Sequence, residues 1–364
     1  MLLSTPDHAL LLRELLPAIQ KNCWISDATH SGFYSLCGLF LRLRDQFLWE
    51  KDLPPWTETD KKGLMDWIEA RESLWLSHMD LPFENLSLLG RGFGFLDNQR
   101  INDLILPRGL YYGAGLGRGL KPTFFLGEVI EQRKFGGYTV ITLNREYASD
   151  LLVTPAVRRG KWIILRLSPL RFLLWGKIQE IEHLEREATR AALAYYGWEP
   201  DQPPEAQLER LVREEIVAVL FHEIGEGRDR TLPFKFWTNL LRLFPHSRLE
   251  IYLRSLKDLL GDTHPAGPLR HIVQNRKTGS WAFYVSNLKG MARLIVPEII
   301  EAFYSFQKNP DWGLIETTRR KTRRRLIAQG HRIRALAADL LPGHPEDFQQ
   351  AFEQEIMKPL KICD

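Results

Sequence analysis

The sequence predicts a mainly α, multi-helix globular protein, with a small α+β unit carrying an antiparallel sheet inserted near residues 90–167. Three observations predict it. Apolar residues recur at helical spacing before residue 90 and after residue 167. The stretch between is rich in glycine and in β-forming residues. The composition, 44% hydrophobic and 26% charged, is that of a packed chain and excludes overall disorder. At 364 residues, two domains or one with an insertion are expected. The expected division is an N-terminal helical segment 1–89, the α+β unit 90–167, and a C-terminal helical domain 168–364 packing with the N-terminal helices.

The N-terminus reads as an amphipathic helix, because Asp7, Arg13 and Glu14 interrupt any signal-like apolar run. A helix from about His30 to Trp49 is stopped by Leu53-Pro54-Pro55, and another is expected from about Asp60 to His78. Strands are predicted at Tyr111–Gly113, Phe124–Glu131, Tyr138–Leu143 and Trp162–Leu167, with Gly136-Gly137 as a hairpin turn. Asn144 is read as the cap of a short helix over Arg145–Leu152. After Ser168-Pro169 the chain is nearly all helix. One helix is expected over Leu170–Gly197. Ser247 and Glu250 make a capping box for a helix ending near Gly261. Pro297 should kink or divide a long helix beginning near Ser280. A last short helix is expected over Glu346–Met357.

The sharpest chemical signal lies between Glu205 and Gly227. Leu208, Leu211 and Val212 define a core face, and at 100° per residue that face continues through Glu215, Val219, His222, Glu223 and Glu226. Ile216–Phe221 is apolar on every side, so the helix is expected to be buried all round. Buried ionisable groups must be paired, neutralised or coordinated. A divalent metal (Zn, Mn or Fe) could take His222 and Glu226, presented together at i, i+4, with Asp229 one turn further on. Glu223 and Glu215 are the candidate acid or base groups. The alternative is an ion-pair network, with Lys177 of the preceding helix as the partner for Glu226. His222-Glu223-Ile224-Gly225-Glu226 lacks the second histidine of a metalloprotease helix. Gly225 and Gly227 either permit a close backbone approach or mark the helix end. Glu180, His183 and Glu187 have the spacing of a di-iron ligand pair but fall on the opposite, polar face. Asp262, His264 and His271, expected in a Gly- and Pro-rich loop between helices, are further candidates to complete a site.

The basic charge is local. Residues 317–338 hold eight Arg and Lys and no acid, twice the net charge of +4 carried by the whole chain. Arg319, Arg320, Lys321, Arg323, Arg324 and Arg325, extended by Arg332 and Arg334, are the footprint expected for a polyanion or nucleic acid. No aromatic stacking signature accompanies them, and arginines also pack and pair within a fold. Gly113, Gly115, Gly117 and Gly119 alternate near Arg118 and Lys121. They fit neither the dinucleotide nor the P-loop spacing, so close packing of a strand against a bulky neighbour is the simpler expectation.

Cys23, Cys37 and Cys363 form no disulfide framework, which favours a reducing compartment, and a cytoplasmic address is expected. No uncharged apolar stretch is long enough to span a membrane. No motif names a reaction. The leading expectation is a metal-dependent or acid-base enzyme with its site around His222. The alternatives are a polyanion-binding protein using the basic helix, or an interaction protein without catalysis.

Overall fold

The computed structural model describes residues 6–151, 154–179 and 187–360. The chain divides into two units, residues 1–176 and 177–364. The expected Glu180 and His183, the end of the helix proposed at Leu152, and Cys363 lie outside the described residues.

The first unit begins with helices α1 (Pro6–His30), α2 (Leu36–Glu50) and α3 (Lys61–Leu76). Ser35 and Asp60 cap the last two by accepting from Gly38 N and Gly63 N. A small hairpin, β1 (Leu86–Leu88) and β2 (Arg91–Phe93), and helix α4 (Asn98–Ile105) follow. A five-stranded sheet comes next: β3 (Leu110–Leu116), β4 (Pro122–Phe135), β5 (Tyr138–Ser149), β6 (Ala156–Arg159) and β7 (Trp162–Arg166). Helix α5 (Leu167–Gln179) begins directly after it.

The mainly helical class holds, but the sheet is larger than a small insertion and is not wholly antiparallel. Its order is β3-β4-β5-β7-β6, and β5 pairs with β7 in parallel, because the β6–β7 hairpin folds back to place β7 beside β5. The Gly136-Gly137 turn forms as expected, both residues at positive φ, between Phe135 and Tyr138. The expected helix over Arg145–Leu152 is instead the second half of β5. Burial alternates there, with Glu146, Ala148 and, just past the strand's end, Asp150 turned inward. Two of those three inward residues are acidic, so the period of two is hidden from a hydrophobic pattern.

Leu11, Leu15, Ile19 and Cys23, one stripe of α1, are fully buried in a common cluster with Tyr112, Ala114, Phe124 and Leu126 of the sheet. Gly113 faces the other side of the sheet, where Tyr111 and Phe125 pack with Ile141, Leu143 and Ile164. A Cβ on Gly113 would lie 2.1 Å from the Phe125 ring. At the sheet's edge of this core lie buried charges. Lys121 meets Asp27 at 2.6 Å, and Arg166 holds Glu146 with two bonds of 2.5 and 2.8 Å. Each charge is paired, as burial demands.

The second unit is helical throughout its described residues. It comprises α6 (Glu187–Tyr195), α7 (Pro204–Arg228), α8 (Phe234–Leu243), α9 (Arg248–Thr263), α10 (Pro268–Asn275), α11 (Thr278–Asn287), α12 (Gly290–Ile295), α13 (Pro297–Lys308), α14 (Trp312–Leu340) and α15 (Pro345–Phe352). The single helix expected over Leu170–Gly197 appears as α5 and α6, with residues 180–186 between them outside the described part. Pro297 does more than kink. It is the first residue of α13, and α11, α12 and α13 replace the one long helix expected from Ser280. α7 packs mainly on α9, and α14 also lies on α9. No helix among the described residues is long and apolar enough to cross a membrane.

Candidate metal centre

Helices α7 and α9 cross at glycines. A Cβ on Gly225 would lie 2.2 Å from the carbonyl oxygen of Gly261, and one on Gly261 would lie 2.8 Å from the backbone nitrogen of Glu226. Gly267, just before α10, closes the third side, since its Cβ would meet the same Gly261 oxygen at 2.1 Å. Only residues without a side chain allow this approach. Gly225 therefore marks a close backbone contact inside α7, which runs on to Arg228.

The crossing brings two similar segments together. On α7, His222 and Glu226 flank Gly225 at positions −3 and +1. On α9, Asp258 and Asp262 flank Gly261 in the same way. Residues at i, i+4 share a helix face, so four ionisable groups face one another across the contact. His222, Glu226 and Asp258 each offer a ligand atom, and these atoms lie within 4.8 Å of one another. The fourth group, Asp262, accepts from His222 Nδ1 at 2.7 Å and from the Tyr284 hydroxyl at 3.2 Å. That bond orients the imidazole through Nδ1.

The electrostatics follow from the crowding. Burial opposes charging of His222, yet Asp262, Asp258 and Glu223 raise its pKa well above the ordinary histidine value. Loss of water raises the Asp258 carboxyl to about 7, with Glu226 and Asp262 adding to the rise and His222 opposing it. Asp258 is nevertheless an exposed residue. Lys257, itself buried, adds a cation to the group. Its ammonium pairs with Glu226 and rests 4.9 Å from the Trp237 ring centre. Lys177, the expected partner of Glu226, donates to the Ser286 carbonyl oxygen at 2.8 Å. α6 packs mainly on α11.

The other expected residues are placed as follows. Asp229 is not in the group of three. It caps α7, accepts from Thr231 N at 2.9 Å and pairs with Arg323 at 2.8 Å. Glu223 is buried beside His222. Glu215, seven residues and about 10 Å along the axis from His222, belongs to a separate cluster. It accepts from Tyr196 at 2.5 Å and Ser280 at 2.8 Å, and burial raises its carboxyl to about 6 against those two bonds. Val217 and Ala218 line a cavity with Glu214, His271, Lys277 and Ser280, so α7 is half-buried on that side rather than buried all round. His264 accepts from Ala266 N at 2.9 Å, and His271 stacks on Phe221 with ring centres 4.1 Å apart.

The basic helix α14 is largely spoken for. Arg319 is buried, donates to the Thr263 carbonyl and holds Glu316. Arg323 donates to Leu260 O at 2.7 Å. Both therefore satisfy carbonyls in the last turn of α9, where cations are favoured. Arg320 pairs with Glu316, and Arg325 with Glu298 and Ile295 O. Lys321 and Arg324 face solvent.

Two family models cover these units. The N-terminal domain of a family of unknown function, DUF6866, matches residues 14–166, and its C-terminal domain matches residues 171–358. The chain belongs to the DUF6866 family. Neither the curated proteins nor the solved structures give a match. The boundary of the two DUF6866 domains falls where β7 ends and α5 begins, and the whole α7–α9 crossing lies in the C-terminal one. Asp258 and Asp262 are the members of the group that a reading of α7 alone misses. The repeated pattern His-x-x-Gly-Glu at 222–226 and Asp-x-x-Gly-Asp at 258–262 is the sequence signal that pairs them.

Proposed function

We propose that this DUF6866 chain is a metal-dependent enzyme whose divalent ion (Zn, Mn or Fe) is held at the α7–α9 crossing by His222, Glu226 and Asp258. The observation that carries the reading is the convergence of three donor atoms within 4.8 Å, from two helices locked at a glycine contact. One imidazole and two carboxylates suit these metals. Three protein donors leave coordination positions open, as catalytic sites do and closed structural sites do not. An ion there supplies Lewis acidity and a more acidic bound water. The chain's own groups do the rest. Asp262 orients the His222 ring through Nδ1, with Tyr284 steadying Asp262. Lys257 pairs with one oxygen of Glu226, and a carboxylate can ligate through its other oxygen.

A second reading is favoured by that last contact. The pairs His222–Asp262 and Lys257–Glu226 also make a self-contained charge network. Calorimetric titration of the chelator-treated protein with Zn2+ and Mn2+ separates the two. The metal reading predicts saturable binding that His222→Ala abolishes. No binding, with His222→Ala only less stable, supports the network.

A further inference from the structure

The cavity on the far side of α7 from the crossing has a reactive-type cluster at its wall. It measures about 150 Å³, a size that takes up a molecule as large as benzene. Val217 and Ala218 of α7 give it apolar surface, and Ser280 of α11 lines it as well. Lys277 and Glu214, paired at 2.7 Å and with side chains 41% and 39% exposed, link it to solvent.

Ser280 is buried, and its hydroxyl has a carboxylate behind it. It donates to Glu215 Oε1 at 2.8 Å, and Tyr196 donates to the same oxygen at 2.5 Å. With both protons given to an ionised Glu215, the 2.9 Å contact between the two hydroxyls carries none, and the lone pairs of Ser280 Oγ stay open. Tyr196 is itself locked in place. A Cβ on Gly279 would lie 2.5 Å from its ring, which stacks on Phe283 with centres 5.8 Å apart. A hydroxyl within hydrogen-bond reach of a base that a third group orients is the arrangement of an activated nucleophile. Burial lifts the Glu215 carboxyl to about 6, so it is ionised near neutral pH and still takes up a proton readily. α11 begins at Thr278, which puts Ser280 in its first turn, where the backbone amides have no intrahelical acceptor. Those amides and Lys277 favour negative charge at this end of the helix.

We propose that Ser280 is the nucleophile, and Glu215 its base, of a second active site that hydrolyses esters of short acyl groups. The site shares no residue with the α7–α9 crossing and does not rest on the metal reading. Ser280 Oγ bonds to the carbonyl carbon while its proton passes to Glu215. The bond to the leaving oxygen breaks, and the alcohol departs with that proton. Water then attacks the acyl-serine, its proton passing to Glu215 and on to Ser280 Oγ, and the acid leaves. The sum is ester and water giving acid and alcohol. The cavity holds the acyl group against Val217 and Ala218, and its volume limits that group to a few carbons.

The test is hydrolysis of p-nitrophenyl acetate and labelling by methanesulfonyl fluoride, on the full-length protein in EDTA so that no metal-bound water contributes. The expected result is catalytic turnover that falls as the acyl chain lengthens from acetate to decanoate, and a sulfonyl label mapped by peptide mass to Ser280. Ser280→Ala should lose both. Glu215→Gln, which keeps an acceptor for both hydroxyls, should lower kcat about 100-fold or more. Tyr196→Phe, which only loosens the position of the base, should lower kcat and leave KM unchanged. Should Ser280→Ala fail to fold, the label on Ser280 in the parent and its loss in Glu215→Gln decide. The proposal is overturned if the label reaches only surface lysines, if Ser280→Ala turns over as the parent does, or if Glu215→Gln keeps the full rate.

Discussion

Gly225 of α7 and Gly261 of α9 touch backbone to backbone, leaving 2.2 Å for a Cβ on Gly225 before the Gly261 oxygen. This contact sets the distance between the helices, and so between His222 and Asp258. Gly225→Ala must push the helices apart, because the obstacle is backbone and not the end of a flexible side chain. A loss of about 1–3 kcal/mol is expected from such overpacking. Gly176→Ala in α5, where nothing lies within 4 Å of the added carbon, should instead gain about 0.5–1 kcal/mol. Urea denaturation of the two variants checks the opposite signs.

In the proposed metal site Asp262 would act through His222, whose Nδ1 it holds. Asp262→Asn keeps the shape but loses the charge that orients Nδ1. Metal affinity should fall about 10- to 100-fold, with stoichiometry unchanged. Loss of binding altogether would make Asp262 a ligand instead.

Glu215 gives a pH dependence with a definite sign. Its folded value, about 6, stands above the ordinary 4.5, so the native state holds the proton longer than the unfolded chain. Its contribution is greatest below about 4.5, declines as pH rises through about 6 and is constant above that. The step is about 2 kcal/mol. Glu215→Gln, whose carbonyl still accepts from Tyr196 and Ser280, should remove this step. Stability measured from pH 4 to pH 8 in both proteins shows it as the difference between the curves.

Arg319 and Lys321 sit two residues apart on α14 with different tasks. Arg319→Gln removes a charged donor from the Thr263 carbonyl in the core and should cost about 2 kcal/mol. Lys321→Gln, on the solvent face, should leave stability within about 0.5 kcal/mol. Equal losses in thermal denaturation would contradict this division of the basic stripe.

The Gly136-Gly137 hairpin, the helix start near Asp60 and the capping box at Ser247 were legible because local chemistry decides them. The second half of β5 was not, since Glu146 takes an inward position and Asp150 the one just past its end, and their partners, among them Arg166, Lys121 and the Phe124 amide, lie far along the chain. The parallel β5–β7 pair depends on how the β6–β7 hairpin folds back, which no local pattern records. His222 and Glu226 were visible as i, i+4 neighbours on one helix. Asp258 was not, because only the glycine crossing brings α9 to them. Asp229 is near in sequence, but Arg323 engages it.

The central claim is tested most directly by the metal content of the protein purified without chelator, measured by plasma mass spectrometry beside Asp258→Ala and Asp229→Ala. The account predicts about one divalent ion per chain in the parent and in Asp229→Ala, and none in Asp258→Ala. A folded Asp258→Ala protein that retains the ion, or a parent that neither carries nor takes up one, would contradict it.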